Sequence, residues 1–173
     1  LSPAELASQY EANGAAAISV LTDDKFFGGS VKDLEEVRQT VDLPLLRKDF
    51  IIDPVQLYQA RLAGADAVLL IVAALSTPKL QDLYNQAQDL GLNPLMEVHD
   101  KGELERALAM DARLIGINNR DLATLEVSLE TCLELRAMIP AGVTVIGESG
   151  ITSPEDLARL RTGGINAFLI GTA

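Results

Sequence analysis

Seven apolar runs punctuate the chain, at 15–22, 43–50, 67–74, 93–99, 114–120, 143–149 and 167–172. Each is short and nearly continuous, as strands covered on both faces are. Helical patterns fill the intervals, and several carry a start signal. Ser2-Pro-Ala-Glu5 and Ser153-Pro-Glu-Asp156 place Ser at the N-cap, Pro at the first helical position and acid in the first turn. Ser30-Val-Lys-Asp33, Ser76-Thr-Pro-Lys79 and Asp53-Pro54 predict three more starts. The runs recur every 20–30 residues, roughly the size of one βα unit.

A short join recurs with them. Gly14-Ala-Ala-Ala, Gly64-Ala-Asp-Ala and Gly164-Ile-Asn-Ala each precede an apolar run. Gly predicts a left-handed helix end there, and the small residues let strand and helix approach. The chain therefore reads as a helix, then six strand–helix units, then a last strand. A closed (β/α)8 barrel needs eight of each. The fold predicted is α/β, a TIM (β/α)8 barrel with seven strands and seven helices of the eight. It forms one domain over residues 1–173 and is incomplete at both ends. An open doubly wound sheet is disfavoured, because it would concentrate polar groups at its switch point. Here they end nearly every run. Open strand edges invite association, so residues 1–173 alone are expected to have poor stability.

Those polar ends are the candidate chemistry. Leu43-Pro-Leu-Leu-Arg-Lys-Asp-Phe50 turns charged near its end, and Leu95-Met-Glu-Val-His-Asp100, Ile115-Gly-Ile-Asn-Asn-Arg-Asp121 and Ile146-Gly-Glu-Ser-Gly150 do the same. In a parallel barrel such ends converge on the face where active sites are built. Lys48 is a general acid, an anion clamp or a solvated lysine paired with Asp49. Glu97 orients a cation or exchanges protons. His99, with no partner pattern, is read as a rim residue. Asn118 and Arg120 suit a hydroxyl and a carboxylate; the alternative is a loop network around Asp121. Gly147-Glu-Ser-Gly150 and Ile170-Gly-Thr-Ala173 end the last two strands, where barrels often bind phosphate.

Composition narrows the partners. A net charge of −11 argues against nucleic acid, which needs clustered Lys and Arg. The longest apolar run, Ala67 to Leu75, is too short to span a bilayer. The single cysteine, Cys132, forms no internal disulfide; it reads as a packing residue and fits a reducing, cytoplasmic setting. No His pair or Cys cluster predicts a metal, and no nucleotide-binding glycine motif predicts a cofactor.

At these residues the sequence resembles the indole-3-glycerol phosphate synthase family. The resemblance rests on Ala17-Ile-Ser-Val-Leu-Thr-Asp23, Phe26-Phe-Gly-Gly-Ser30, Leu46-Arg-Lys-Asp-Phe-Ile51, Val68-Leu-Leu-Ile-Val-Ala73, Leu95-Met-Glu-Val-His-Asp100, Gly116-Ile-Asn-Asn-Arg-Asp-Leu122, Glu148-Ser-Gly-Ile151 and Leu169-Ile-Gly171. It implies a carboxy-lyase of tryptophan biosynthesis that closes the ring of 1-(2-carboxyphenylamino)-1-deoxyribulose 5-phosphate, with loss of carbon dioxide and water. It also implies roles. Lys48 is the general acid, with Glu97, Asn118 and Glu148 beside it in catalysis. Arg120 holds the carboxylate; Phe27, Phe50, Leu69 and Leu169 wall the aromatic ring. Ser149, Gly150, Gly171 and Thr172 cradle the phosphate. Family members are expected to be monomeric when complete, and to carry a first strand with Glu and Lys that lies upstream of Leu1. Two alternatives stand beside this reading: a truncated, non-catalytic phosphate-binding barrel, and a Schiff-base aldolase. Aldolases on this barrel place their lysine where this chain has Asn118-Asn119-Arg120.

Overall fold

The computed structural model describes residues 1–25, 28–122 and 124–171. Its elements are α1 (Pro3–Ala12), β1 (Ile18–Leu21), α2 (Val31–Thr40), β2 (Leu45–Lys48), α3 (Pro54–Leu62), β3 (Ala67–Ile71), α4 (Thr77–Asp89), β4 (Asn93–Val98), α5 (Lys101–Leu108), β5 (Leu114–Asn118), α6 (Glu130–Arg136), β6 (Thr144–Glu148), α7 (Pro154–Thr162) and β7 (Ala167–Leu169). A 3-10 turn, Val72–Ala74, follows β3. The strand order is β1-β2-β3-β4-β5-β6-β7. β1 pairs with β2, β2 with β3, β4 with β5, β5 with β6 and β6 with β7, each in parallel. Parallel strands in chain order, with a helix in each connection, are the α/β topology of a TIM barrel. Every predicted run contains a strand, each shorter than its run because the strand ends pass into loops.

Four of the predicted helix starts are capped by the residues that announced them, and α4 begins at Thr77, next to Ser76. Ser2, Ser30 and Ser153 accept from the backbone N–H three residues on, and Glu5, Asp33 and Asp156 return the bond. Asp53 and Gln56 do the same for α3 in a slightly different register, Asp53 accepting from Val55 N–H. Bonds from Thr152 and Ser153 hold the Asp156 carboxyl below its usual range.

The chain divides into two compact units, Leu1–Leu70 with Pro78–Pro94, and Ile71–Thr77 with Leu95 onward. In the first, Ile18, Val20, Leu34, Leu45, Leu57, Val68, Leu80 and Leu83 are buried. In the second, Leu95, Met96, Leu104, Ile115, Ile117, Cys132, Val145 and Leu160 are.

Each unit holds one copy of the most developed join. After α3, Gly64 has φ +88°, and Ala65 N–H bonds Ala60 O at 2.9 Å. After α7, Gly164 has φ +90°, and Ile165 N–H bonds Leu160 O at 3.1 Å. Gly64 lies against Arg38 of α2, and Gly164 against Arg136 of α6. Two residues on, Asp66 accepts from Leu45 N–H and Asn166 from Val145 N–H, each at 2.8 Å. The polar residue thus aligns each strand with the one before it. After α5, Asp111 takes the left-handed position at φ +55°, although it is not glycine.

Candidate active site

In the first unit, Lys48 closes β2 and is half-buried. Its neighbour Arg47 faces the other way and is only 3% exposed. A buried guanidinium must be paired and fully bonded. Arg47 Nε and Nη2 reach Asp49 Oδ2 at 3.1 and 2.7 Å, and Thr22 Oγ1 donates to the same oxygen at 2.7 Å. Asp49 is therefore the partner of Arg47, not of Lys48. Arg47 Nη1 continues to Gln56 O at 2.7 Å. Gln56 in turn donates to Phe50 O at 3.0 Å and accepts from Ile52 and Asp53 N–H. The loop that follows Lys48 is fixed from both sides. Phe50 is half-buried and Leu69 is fully buried in β3.

In the second unit, two carboxylates end strands on either side of β5. Glu97 on β4 is 3% exposed and Glu148 on β6 is 1% exposed. Glu97 is in register with Gly116, and Asn118 with Glu148. A Cβ on Gly116 would collide with Glu148 Oε1, so this glycine makes the space that the carboxylate fills. Asn118 Nδ2 lies 3.4 Å from Glu97 Oε1, and its Oδ1 accepts from Arg120 N–H at 3.1 Å.

His99 is not a rim residue. Its side chain is 10% exposed, with Nδ1 2.9 Å from Glu103 Oε2 and Nε2 3.3 Å from Glu97 Oε1. Burial works against the charged ring, but bonds and charges from Glu103 and Glu97 outweigh it and raise its pKa to about 9.

The loop after β6 turns sharply. Ser149 has φ +63° and Gly150 φ +74°. Side chains rarely adopt the first, which costs on the order of 1 kcal/mol. Asn119, buried at the end of β5, holds the turn: its Nδ2 donates to Ser149 O at 3.0 Å, and its Oδ1 accepts from Cys132 N–H at 3.1 Å. One amide ties β5, the turn after β6 and the start of α6.

Arg120 is exposed, and its Nη1 donates to Leu125 O at 3.3 Å. The loop network around Asp121 also exists, with Thr124 N–H on Asp121 Oδ1 at 2.8 Å. Leu169 on β7 is half-buried, and a Cβ on Gly171 would meet open space. Phe27 and Thr172 lie outside the described residues. Among the described residues no three His, Cys, Asp or Glu side chains stand together as metal ligands would.

A sequence model of one family, indole-3-glycerol phosphate synthase, matches residues 1–173. The chain belongs to that family. It is 53% identical over 171 residues to the indole-3-glycerol phosphate synthase of Burkholderia ambifaria, covering 99% of this chain and 66% of that one. The synthase of Aromatoleum aromaticum is also 53% identical, with 65% of its length covered. The chain thus spans just under two thirds of the curated relatives it matches. Among solved structures, N-acetylmannosamine-6-phosphate 2-epimerase from Clostridium perfringens superposes with a TM-score of 0.75 at 16% identity, over 96% of this chain and 76% of the epimerase. That likeness is one of fold alone. No helix among the described residues is long and apolar enough to cross a membrane.

Arg47 in the first unit, and His99, Gly116 and Asn119 in the second, carry no site role in the sequence reading. All but His99 sit in quoted motifs without an assigned part. Their signal is a polar or missing side chain inside an apolar run, where burial forces a partner or makes a space.

Proposed function

We propose that this chain serves the indole-3-glycerol phosphate synthase reaction on 1-(2-carboxyphenylamino)-1-deoxyribulose 5-phosphate. The observation that carries the proposal is the pair of buried carboxylates, Glu97 and Glu148, flanking β5 in a chain of this family. Buried carboxylates are held for proton transfer or for fixing a cation.

The reaction joins the ring carbon that bears the carboxylate to the keto carbon. The carbon–carboxylate bond breaks to release carbon dioxide, and the new hydroxyl leaves as water. Lys48 protonates the keto oxygen as the new bond forms. Glu97 and Glu148 hold and exchange the protons that the departing water requires. Asn118 positions the aromatic amine and Arg120 pairs with its carboxylate. Ser149, Gly150, Gly171 and Thr172 receive the phosphate at the ends of the last two strands. Phe27, Phe50, Leu69 and Leu169 form the apolar wall. The reaction needs no cofactor, and its partner is a small phosphorylated molecule. The complete protein is a cytoplasmic monomer.

The test is fluorescence detection of indole glycerol phosphate. Both residues 1–173 and a full-length relative carrying them in place of its matching segment are assayed. Activity in either, lost in Lys48→Met with the fold retained, supports the reading. A folded, phosphate-binding but inactive hybrid would replace it with the non-catalytic alternative.

A further inference from the structure

The His99 ring stands between two carboxylates contributed by different elements, Glu97 of β4 and Glu103 of α5. Glu103 is itself fixed. Its N–H donates to Asp100 Oδ1 at 2.8 Å, and its Oε2 accepts from His99 N–H at 2.8 Å as well as facing Nδ1. Backbone and ring of one residue therefore clamp one carboxylate oxygen. That sets the ring plane and leaves the buried Nε2 3.3 Å from Glu97 Oε1, within ion-pair distance but not aligned as a hydrogen bond. From β5, Asn118 approaches the same Glu97 oxygen. Asp100, next in sequence, is occupied by the Glu103 N–H instead.

A neutral imidazole carries one N–H and one lone pair. Between two carboxylates it could serve only one, and its lone pair would oppose the other. The imidazolium bonds Glu103 and places its positive charge beside Glu97. Ring partners that lie behind a reacting group fix its rotamer and tautomer in this way.

We propose that His99 is a positioning residue for Glu97, acting as an imidazolium that links it to the Glu103 anchor and keeps the Glu97 carboxylate ionised and in one rotamer. The inference rests on the role of Glu97 in the proposed reaction; the link itself stands on geometry. Carboxylates left without such support swing and take up protons more readily.

His99 is the only histidine in the chain, so its ring nitrogens are read without ambiguity by long-range proton–nitrogen NMR. At pH 7.5 both nitrogens are expected at imidazolium shifts. Glu97→Gln and Glu103→Gln, made separately, should each move the titration toward lower pH. A neutral ring at pH 7.5, or a titration that ignores Glu97→Gln, overturns the link. In active protein, His99→Gln should lower kcat about 10-fold with KM little changed, on the scale of partners behind metal-binding ligands. It should also move the acid limb of the kcat profile to higher pH. In a Glu97→Gln background it should add nothing. Equal losses in both backgrounds overturn the positioning role, and Glu103→Gln supplies the same comparison if His99→Gln does not fold. A protein with the NMR signature and no activity refutes the reaction while leaving the link intact.

Discussion

Asp49→Ala tests whether the buried cluster beside Lys48 is held by charge pairing. Three bonds converge on Asp49 Oδ2, two from Arg47 and one from Thr22. Removing the carboxylate leaves the Arg47 guanidinium, 3% exposed, without its counter-charge. Breaking a buried pair from one side costs about 3–5 kcal/mol, because the remaining ion stays desolvated. A domain of this length loses about 2–4 °C of melting temperature per kcal/mol, so the expected fall is about 6–20 °C. Such a loss is a large share of a total stability of about 5–15 kcal/mol. The assay is urea and thermal unfolding followed by circular dichroism at pH 7. It is paired with the double variant Arg47→Met/Asp49→Leu. Replacing both ions by apolar groups removes the desolvation cost along with the attraction, so the double variant should be more stable than Asp49→Ala alone. An Asp49→Ala loss below about 1 kcal/mol, or a double variant as poor as the summed single ones, would refute the reasoning.

Other outcomes follow from the same packing. Gly116→Ala drives a methyl group into the Glu148 carboxylate, so activity should fall on the order of 100-fold as the carboxylate is displaced, while overpacking costs about 1–3 kcal/mol of stability; near-normal turnover would show that Glu148 has room elsewhere. His99 titrates higher in the folded chain than its ordinary 6.5, near 9. Its contribution, at most on the order of 3 kcal/mol, is complete below about pH 6.5 and lost as pH rises through about 9; unfolding free energies at pH 6 and 10 should differ less in His99→Gln than in the parent. Burial pushes the Cys132 thiol up to about 11, so it should resist a thiol reagent at pH 8 until urea unfolds the chain, and rapid labelling of the folded protein would contradict its placement.

Helix starts were legible because they are settled within four residues. Ser2 with Glu5, or Ser153 with Asp156, satisfies orphan N–H groups by itself. Strand ends were legible for a related reason: Lys48, Glu97, Asn118 and Glu148 interrupt apolar runs, and only a strand end tolerates that. Partner choice was not legible. Arg47 and Lys48 are adjacent basic residues beside Asp49, and sequence alone offers both as its partner. Strand alternation buries the first against Thr22 and Asp49 and turns the second away. Asp111 shows the same limit at a helix end, where the left-handed position carries no glycine to announce it.

By itself the sequence determined the succession of strands and helices, their caps and joins, and the motifs that resemble one family. All of these are read from near neighbours along the chain. Only the tertiary structure decided that His99 lies between Glu97 and Glu103, that Gly116 makes room for Glu148, and that Asn119 secures the turn at Ser149. Those pairings depend on register between strands and on exclusion of water. A buried polar atom bonds whatever the register brings within about 3 Å, and no local pattern encodes which atom that is.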